Sequence, residues 1–383
     1  MALVLIAPAG CDAEPTDEPA EVVLDWRPVD LPMPPGLHGR LAVRDAAVCG
    51  NAWVLVGGVF LTSDRSRPAA WWSPDGSTWE SLAVAPQDYW AKRSVLSSVD
   101  CRADGTLAMI GGKSGGAHGN PRVSSWYQRE DGVLVDVVAG YTLYGGAEAT
   151  NVSRIAAGPE GFLITGNRVS GASVWTSTDA REFELHDDIP ELASGPDRAT
   201  LAIGQVHDGE RWTVVGSASL TDRLARVPMA WTSPDGLAWT DEDVPRTDDF
   251  NDLEQVVAVE DGLVAAGLRG QRFGVWTRDA EGTWDLAEAF GAVQASGGSP
   301  AVSSLVAVPS AEDDGRRLLA AVADGETYQL WASATAGAWG RVAVPLEPEV
   351  GSERSLTVSA REQDVLLLAD DGARGRVWIA TWP

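Results

Sequence analysis

The chain has 383 residues with 29 basic and 55 acidic side chains, a formal net charge of −26, and a hydrophobic content of 44%. That hydrophobic content excludes a mainly disordered chain, because disordered segments of such charge are poor in aliphatic and aromatic residues. The charge argues against nucleic acid as a partner, since polyanion binding needs clustered basic residues and the chain has two lysines, Lys92 and Lys113, beside its arginines.

The N-terminal segment is apolar over residues 1–10, and residues 11–21 are acidic, contain proline and lack periodicity. Ala9-Gly10-Cys11 resembles the end of the lipobox of bacterial lipoproteins, with Pro8 where that family prefers Leu. The resemblance implies a truncated signal peptide at 1–10, a lipid anchor on Cys11 and a flexible tether at 11–21. The protein is then expected outside the cell membrane, anchored or secreted. The alternative is a free cysteine in a disordered N-terminus. No later segment has the roughly 18 apolar residues of a membrane-spanning helix.

Tryptophan recurs through the rest of the chain at intervals of 45 to 56 residues. A short apolar run, usually closed by Gly, lies about 14 to 16 residues ahead of each recurring Trp, and a second large apolar residue usually follows eight residues after it. The recurring tryptophans are Trp71, Trp126, Trp175, Trp231, Trp276, Trp331 and Trp378. The chain therefore contains seven copies of one unit.

Each unit can be divided into four strands separated by turns. In the fourth unit the strands are ATLAIGQV, RWTVVG, MAWTS and AWTDEDV, with Gly and Asp residues between them that favour hairpin turns. The apolar runs are too short for helices and lack a period of 3.6 residues. The sequence therefore predicts an all-β fold, with residues 22–383 forming a single seven-bladed β-propeller of four-stranded antiparallel blades.

The seventh unit supplies three strands before the chain ends at Pro383. Fourth strands in three other units, TWESLAVAP, AWTDEDVP and AWGRVAVP, have Trp near their start and end in Pro, and residues 25–32, DWRPVDLP, have that form. We expect residues 22–32 to pair with the C-terminal blade and to complete it. The ring is then closed by the N-terminal strand, with no open edge between its first and last blades.

Three turns between third and fourth strands share a Ser-x-Asp pattern followed by an aromatic residue. They contain Ser73, Asp75 and Trp79; Ser177, Asp179 and Phe183; and Ser233, Asp235 and Trp239. These turns resemble the Asp-box, or bacterial neuraminidase repeat, of sialidase-like propellers. The resemblance implies a hairpin in which the Asp carboxylate accepts backbone N–H groups and the aromatic ring packs beneath the turn. The motif specifies a fold and not a reaction.

Cys49 and Cys101 follow the first strands of the first two units at nearly equivalent positions. Neighbouring inner strands of a propeller lie close together, and an exported protein folds in an oxidising compartment. We expect a disulfide between these two cysteines, with two buried thiols as the alternative.

The sequence predicts neither a metal site nor a cofactor. The four histidines stand alone, and no CxxC or HxxxH spacing occurs, which weighs against zinc. An acidic cluster lacks the Gly-punctuated loop of a dedicated Ca²⁺ site, and a solvated loop is the favoured interpretation. The cluster contains Asp248, Asp249, Asn251, Asp252 and Glu254.

The Asp-box resemblance raises the alternative hypothesis of a divergent sialidase-like glycoside hydrolase. Sialidases hold the substrate carboxylate with three arginines and use a Tyr–Glu nucleophile pair with an Asp acid/base. The chain has no Arg-Ile-Pro motif, and none of its five tyrosines is placed near a Glu in a way that suggests a nucleophile. Arg44, Arg154 and Arg354 lie near first strands, so an arginine cluster in the channel is the feature that would support this hypothesis. The preferred hypothesis is a monomeric, non-catalytic binding or scaffold module for a protein, peptide or glycan.

Any ligand site is expected on the face opposite the Asp-box turns, where the loops are long and varied. In the segment between the first two units, two aromatic residues outside the packing register stand beside two basic residues. The candidate ligand-binding residues are Tyr89, Trp90, Lys92, Arg93, Arg65 and Arg67. A basic, aromatic patch on an acidic protein favours an anionic group. The alternative is that Trp90 packs over the groove between two blades.

Overall fold

The computed structural model describes residues 21–114, 121–294, 297–309, 316–334 and 336–383. Cys11 and the segments 1–10 and 11–20 lie outside the described residues. Within those ranges the chain forms strands and one 3₁₀ turn, Ala91–Arg93. Two short strands, β1 (Val22–Val23) and β2 (Arg27–Val29), come first. The remaining strands form seven sheets, which we call blades 1 to 7 in chain order.

The first four blades each contain four antiparallel strands in sequence order. Blade 1 has β3 (Arg40–Cys49), β4 (Ala52–Thr62), β5 (Arg65–Ser73) and β6 (Glu80–Ser81). Blade 2 has β7 (Val95–Cys101), β8 (Leu107–Ser114), β9 (Pro121–Gln128) and β10 (Leu134–Asp136). Blade 3 has β11 (Ala149–Gly158), β12 (Gly161–Arg168), β13 (Gly171–Ser177) and β14 (Glu184–His186). Blade 4 has β15 (Arg198–His207), β16 (Trp212–Leu220), β17 (Val227–Ser233) and β18 (Thr240–Glu242).

The last three blades continue the pattern. Blade 5 has β19 (Asn251–Val259), β20 (Gly262–Arg269), β21 (Arg272–Asp279) and β22 (Trp284–Leu286). Blade 6 has β23 (Ala301–Pro309), β24 (Arg316–Ala323), β25 (Tyr328–Ser333) and β26 (Trp339–Ala343). Blade 7 has β27 (Arg354–Arg361), β28 (Asp364–Asp371) and β29 (Gly375–Thr381) from the end of the chain. The predicted seven-bladed propeller is confirmed.

The closure of the ring is confirmed, with one correction. Strand β2 pairs antiparallel with β29, so that Pro28 lies opposite Trp378, and it supplies the fourth strand of blade 7. Residues 22–32 do not all pair with that blade, however, because Val22–Val23 pair in parallel with β26 of blade 6. The physical reason is that β26 has a free outer edge beside the incoming chain, and β1 covers that edge as a fifth strand.

The hydrophobic core lies between neighbouring blades and not within one blade. One cluster combines Trp53 and Leu55 of blade 1 with Leu366 and Ile379 of blade 7, and equivalent clusters occupy other junctions. Second strands are covered on both faces, which explains their nearly continuous apolar sequences. The whole of β12 is buried, for example.

Polar side chains on the inner strands connect successive blades around the channel. First strands of adjacent blades contact one another. Several of them have a register shift in their pairing with the second strand of the same blade. A carboxylate or hydroxyl oxygen then accepts a backbone N–H of the next blade. Examples are Asp45 with Val99 N at 3.1 Å, Asp100 with Ala157 N at 2.7 Å and Ser304 with Val358 N at 2.9 Å. The ring is thus fixed by hydrogen bonds as well as by apolar packing.

Blade 1 and blade 7 are also joined by an ion-pair cluster. The carboxylate of Asp370, which is fully buried, lies 2.7 Å from Nη1 of Arg40 and 2.7 Å from Nη1 of Arg44. Arg44 also pairs with Glu353 at 2.9 Å. The cluster connects blade 1 to blade 7 across the junction where the ring closes.

Antiparallel strands send successive connections to alternate faces of the propeller. The turns from first to second and from third to fourth strands share one face, which we call the turn face. The loops from second to third strands and the linkers between blades share the other, which we call the linker face. The two faces carry different chemistry.

Candidate ligand-binding site

The Ser-x-Asp turns lie on the turn face, and their polar atoms are used within the turns. In blade 1, Asp75 Oδ1 accepts the N–H groups of Ser77 and Thr78, both at 2.7 Å. Ser73 Oγ accepts Gly76 N at 2.8 Å, and the Trp79 indole donates to Gly76 O at 2.9 Å. The N–H groups of Thr78 and Ser77 hold the pKa of Asp75 below its usual value. This carboxylate is therefore occupied by the backbone.

The other two turns repeat this geometry. Oδ1 of Asp179 accepts Arg181 N at 2.8 Å, and Oδ1 of Asp235 accepts Leu237 N and Ala238 N at 2.9 Å. Ser177, Phe183, Ser233 and Trp239 occupy the positions equivalent to the serine and tryptophan of blade 1. Positive φ is adopted by Gly76 (74°), Gly236 (78°) and also by Ala180 (65°) at the equivalent position. The three turns have the geometry of structural hairpins.

A disulfide between Cys49 and Cys101 lies at the turn-face ends of β3 and β7, with the two Cα atoms 5.3 Å apart. It crosslinks the first strands of blades 1 and 2.

The solvated-loop interpretation of the acidic cluster holds for Asp248 and Asp249, which are exposed before blade 5, and is wrong for the rest of the cluster. Asn251, Asp252 and Glu254 are buried in the first strand of the blade. Asp252 pairs with Arg226 at 3.1 Å, and a Glu254 oxygen accepts Val302 N of blade 6. Across the described ranges, no group of three or more His, Cys, Asp and Glu residues could hold a metal ion.

Burial, together with the nearby Asp252 carboxylate, raises the pKa of Glu254 from 4.5 to about 8. The folded protein therefore retains a proton that the unfolded chain releases above its ordinary pKa. Stability from this group is complete below pH 4.5 and is lost as the pH rises towards 8. Burial raises the pKa of Asp252 to about 6, which acts in the same direction.

We expect Glu254→Gln to be more stable than the wild type at pH 8, by on the order of 3 kcal/mol, and nearly equal to it at pH 4.5. Glutamine keeps an acceptor for Val302 N but carries no charge. Urea unfolding at the two pH values measures the difference. Glu260→Gln, at an exposed position directly after the same strand, is the matched control. Equal pH dependence in wild type and Glu254→Gln would contradict the assignment.

The arginines considered for a hydrolase site are each held by protein groups. Arg44 pairs with Asp370 and Glu353, and Arg154 donates to Ser303 O across the channel. Arg354 pairs with Glu349 at 2.9 Å, and the Tyr328 hydroxyl donates to the carbonyl of Arg354 at 3.2 Å. In the described part of the chain, no tyrosine hydroxyl is hydrogen bonded to a glutamate. The arrangement does not reproduce three free arginines beside a Tyr–Glu pair.

On the linker face, five side chains form a continuous series from the linker between blades 1 and 2 to the linker between blades 2 and 3. We call it the aromatic–arginine row, and in order its members are Arg93, Tyr89, Trp90, Arg122 and Tyr141. The Arg93 guanidinium carbon lies 3.8 Å from the Tyr89 ring centre, and the Tyr89 and Trp90 rings meet edge to face at 5.1 Å. The Arg122 guanidinium carbon lies 5.7 Å from the Trp90 ring centre and 4.9 Å from that of Tyr141.

The linker that carries the first half of the row is firmly positioned. The buried Asp136 carboxylate accepts Gln87 N at 2.6 Å and Asp88 N at 3.1 Å. Asp88 in turn accepts Trp90 N at 2.6 Å, which starts the 3₁₀ turn. The local geometry therefore fixes the backbone on which the two aromatic rings stand.

Blade 1 also holds this linker in place through hydrogen bonds. Arg67 Nη1 donates to Lys92 O at 3.2 Å, and Ser66 donates its hydroxyl to Arg93 O. Arg65 is exposed at the start of β5, as is Lys92 on the linker. The structure thus brings Tyr89, Trp90, Lys92, Arg93 and Arg67 together, and it places Arg65 on the same face at the start of β5.

The row is open to solvent and borders a cleft. Tyr89 is 57% exposed, Tyr141 is 62% exposed and Val138, in the second linker, is 74% exposed. A cleft of about 190 Å³ is lined in part by Trp90, Arg122, Val138 and Tyr141. Large exposed apolar groups beside a cleft are features of binding surfaces.

The cations of this region lack acidic partners. Arg93 donates to Tyr89 O, Arg122 donates to the Tyr141 hydroxyl at 2.8 Å, and Arg67 donates to backbone oxygens. Among the described residues, neither these arginines nor Lys92 form a salt bridge, whereas arginines elsewhere commonly do. The Arg122 hydrogen bond also holds the pKa of Tyr141 below its ordinary value.

Sequence reasoning missed Arg122 and Tyr141. One available signal was the repeat itself, because Arg122 stands four residues before Trp126 as Arg67 stands four residues before Trp71. The other was that Tyr141, like Tyr89, is an aromatic residue outside the packing register. Their contact with Trp90 depends on how the two linkers approach each other across blade 2.

No protein-family model and no curated protein matches the chain. Among solved structures, the β-propeller domain of the Trilobed protease from Pyrococcus furiosus has 10% identity and a TM-score of 0.46, with 89% of this chain and 95% of that chain covered. The N-terminal domain of Nup159 has 8% identity and a TM-score of 0.46, covering 95% and 100%. A GH43 endo-arabinanase from Bacillus licheniformis has 14% identity and a TM-score of 0.36, covering 60% and 92%. At these identities the likeness concerns the fold alone.

Proposed function

We propose that this protein is a lipid-anchored, extracytoplasmic propeller that binds an anionic ligand without catalysis, and that its Ser-x-Asp turns make it a member of the Asp-box propellers. The observation that carries the proposal is the aromatic–arginine row. It places exposed aromatic rings and arginines without acidic partners on one face of a chain with a net charge of −26. On the turn face the Ser-x-Asp carboxylates are occupied by backbone N–H groups, and the arginine–aromatic contacts there are the separate pairs Arg181–Tyr127 and Arg361–Trp53.

The choice of an anionic ligand follows from the charge distribution. An arginine whose donors meet only neutral oxygens keeps most of its capacity for a carboxylate, a sulfate or a phosphate. The aromatic rings next to it add apolar contact area and a cation–π contribution of about 0.5 to 1 kcal/mol at exposed sites. An anion that reached the row would gain both kinds of contact, whereas the acidic remainder of the surface would repel it.

We expect the triple variant Tyr89→Ala, Lys92→Ala, Arg93→Ala to bind its anionic ligand at least about tenfold more weakly than the wild type. The melting temperature should change little, because all three side chains lie largely at the surface. Biolayer interferometry against immobilised acidic and neutral peptides and against anionic and neutral oligosaccharides measures the affinity.

The matched control removes the same number of cations from the turn face. Arg129→Ala with Arg211→Ala alters two exposed arginines in turns of blades 2 and 4. Binding should be unchanged in this control, since exposed salt bridges contribute little. Equal affinity of the triple variant and the wild type, or no binding of any anionic probe, would contradict the proposed site.

The extracytoplasmic location is supported by two features of different kinds. Ala9-Gly10-Cys11 resembles a lipobox, and a disulfide joins Cys49 to Cys101. Disulfides persist mainly in oxidising compartments. Within the described residues, no helix is long and apolar enough to cross a bilayer.

Lipid attachment through Cys11 has a direct test. When the protein is expressed in its native host, Cys11→Ser should move from the membrane fraction to the soluble extracytoplasmic fraction, because acylation with two or more chains is what gives stable anchoring. Immunoblotting of fractionated cells measures the distribution, with the wild type as reference. An unchanged membrane fraction would show that Cys11 is not the anchor.

A further inference from the structure

The aromatic–arginine row is a series of five groups in successive contact, which bears on the size of its ligand. Its members succeed one another at separations of 3.8, 5.1, 5.7 and 4.9 Å, from Arg93 to Tyr141. A strand-like peptide advances about 3.3 Å per residue. The row therefore offers contacts to a chain of several residues, which a single small anion could not use.

We infer that the row binds an extended acidic peptide segment of a partner protein; this rests on the proposed function and specifies its ligand. An Asp or Glu of the segment pairs with Arg122, a second acidic residue reaches Arg93, and an apolar side chain enters the cleft. The occupant is a segment of another protein because the row combines arginine with tyrosine and tryptophan, the residue types enriched in protein interfaces.

Arg122 is the central cation of this arrangement. One Nη1 donor goes to the Tyr141 hydroxyl at 2.8 Å, and its Nε–H is shielded from water without an acceptor. Since the flanking rings of Trp90 and Tyr141 hold the guanidinium in place, a ligand carboxylate meets a preorganised planar group and not a mobile point charge.

The cleft beside Arg122 is suited to an apolar side chain and not to a second carboxylate. Its wall includes Val123, Val138 and the buried ring of Tyr144. Its two acidic residues, Asp88 and Asp136, accept backbone N–H groups of the linker, and their negative charge disfavours a second carboxylate in the cleft. A volume of about 190 Å³ accommodates one side chain of moderate size. Because side chains alternate along an extended chain, acidic and apolar residues of one segment can reach Arg122 and the cleft respectively.

The kind of cation in the row also distinguishes a peptide ligand from a polyanionic polysaccharide ligand. A polyanionic polysaccharide presents repeated charges, which are bound by diffuse basic patches. The lysine-poor row is not such a patch. Lys92 is the only lysine among the six candidate residues, and Arg67, Arg93 and Arg122 are held by aromatic or backbone contacts. Arginine with tyrosine and tryptophan is the composition of interface hot spots.

The test is selection of displayed random octapeptides on three forms of the full chain: the wild type, Arg93→Ala with Arg122→Ala, and the control Arg129→Ala with Arg211→Ala. Peptides enriched on the wild type and on the control should contain more Asp and Glu than the unselected library, with an apolar residue nearby. They should bind the row variant at least about tenfold more weakly. Arg122→Lys keeps the charge but loses the planar fork, and it should recover only part of the affinity.

The remaining outcomes overturn the inference. One is a set of enriched peptides that is not acidic, or that binds the row variant as well as the wild type. Another is binding of polygalacturonate to the row without binding of acidic peptides, which would contradict the peptide ligand while leaving the proposed anionic site in place. If neither acidic peptides nor polygalacturonate bind any form of the protein, the proposed function is contradicted as well. Thermal melting of all forms verifies that the variants are folded.

Discussion

A chain that begins at Leu37 should unfold at a much lower temperature than the chain described here, or should aggregate. This truncation removes β1 and β2. Blade 7 is then left with three strands, and the outer edges of blades 6 and 7 are exposed. The affected segment precedes the first complete blade, yet it closes the ring. A large effect is therefore expected from a part of the chain that looks peripheral in sequence.

The expected size follows from the contacts that the truncation removes. Leu24 is buried in the core between blades 6 and 7, and burial of a leucine stabilises by about 2 kcal/mol. The Trp26 indole donates to Ala343 O at 2.8 Å, and Pro32 O accepts the Trp71 indole at 2.8 Å. Each such hydrogen bond contributes about 1 kcal/mol. With the ladder of β2, the loss is on the order of 5 kcal/mol, comparable to the whole stability of many domains.

Differential scanning calorimetry measures this effect. The control is a chain beginning at Glu21, which keeps both N-terminal strands and should melt like the full chain. Equal melting of the Leu37 truncation and the full chain would mean that strand β2 is not required for closure.

Substitution of Asp370 by Ala should cost about 3 to 5 kcal/mol of unfolding free energy. The carboxylate is fully buried, lies 2.7 Å from both Arg40 and Arg44, and accepts Gly372 N at 2.9 Å. Its removal leaves two largely buried guanidiniums with less compensation, one of which keeps its pair with Glu353. The penalty comes from the uncompensated charges and falls at the junction of blades 1 and 7.

The neighbouring residue supplies a matched control. Asp371 is partly exposed and pairs with Arg376 of its own blade at 2.8 Å. Asp371→Ala should therefore cost about 1 kcal/mol. Urea unfolding measures both variants. Similar losses in the two would indicate that the Arg40–Asp370–Arg44 cluster does not stabilise the closure.

The fold could be predicted from the sequence because the unit repeats. Seven tryptophans in one register and turns at fixed offsets define the blades, and the Trp and Pro at the ends of residues 25–32 identify the missing strand. The pairing of Val22–Val23 with blade 6 could not be predicted. It depends on where the chain lies as it approaches the closing strand, and two valines carry no pattern.

The candidate site could be proposed from the sequence only in part, for a related reason. Tyr89, Trp90, Lys92 and Arg93 are adjacent in sequence, so their departure from the repeat was visible. Arg122 and Tyr141 join them only through the approach of separate loops. The burial of Asp252 and Glu254 was missed because their partners, Arg226 and Val302, belong to the neighbouring blades 4 and 6.

The central claim is that the linker face around blade 2 is the binding surface. It is tested by hydrogen–deuterium exchange of the full chain, measured with and without the peptide or oligosaccharide that binds most tightly. Slower exchange is predicted in the linkers at residues 82–94 and 137–148, which carry Tyr89, Trp90 and Tyr141. Exchange in the turns at residues 74–79, 178–183 and 234–239 should not change. Protection of those turns, with neither linker affected, would contradict the account.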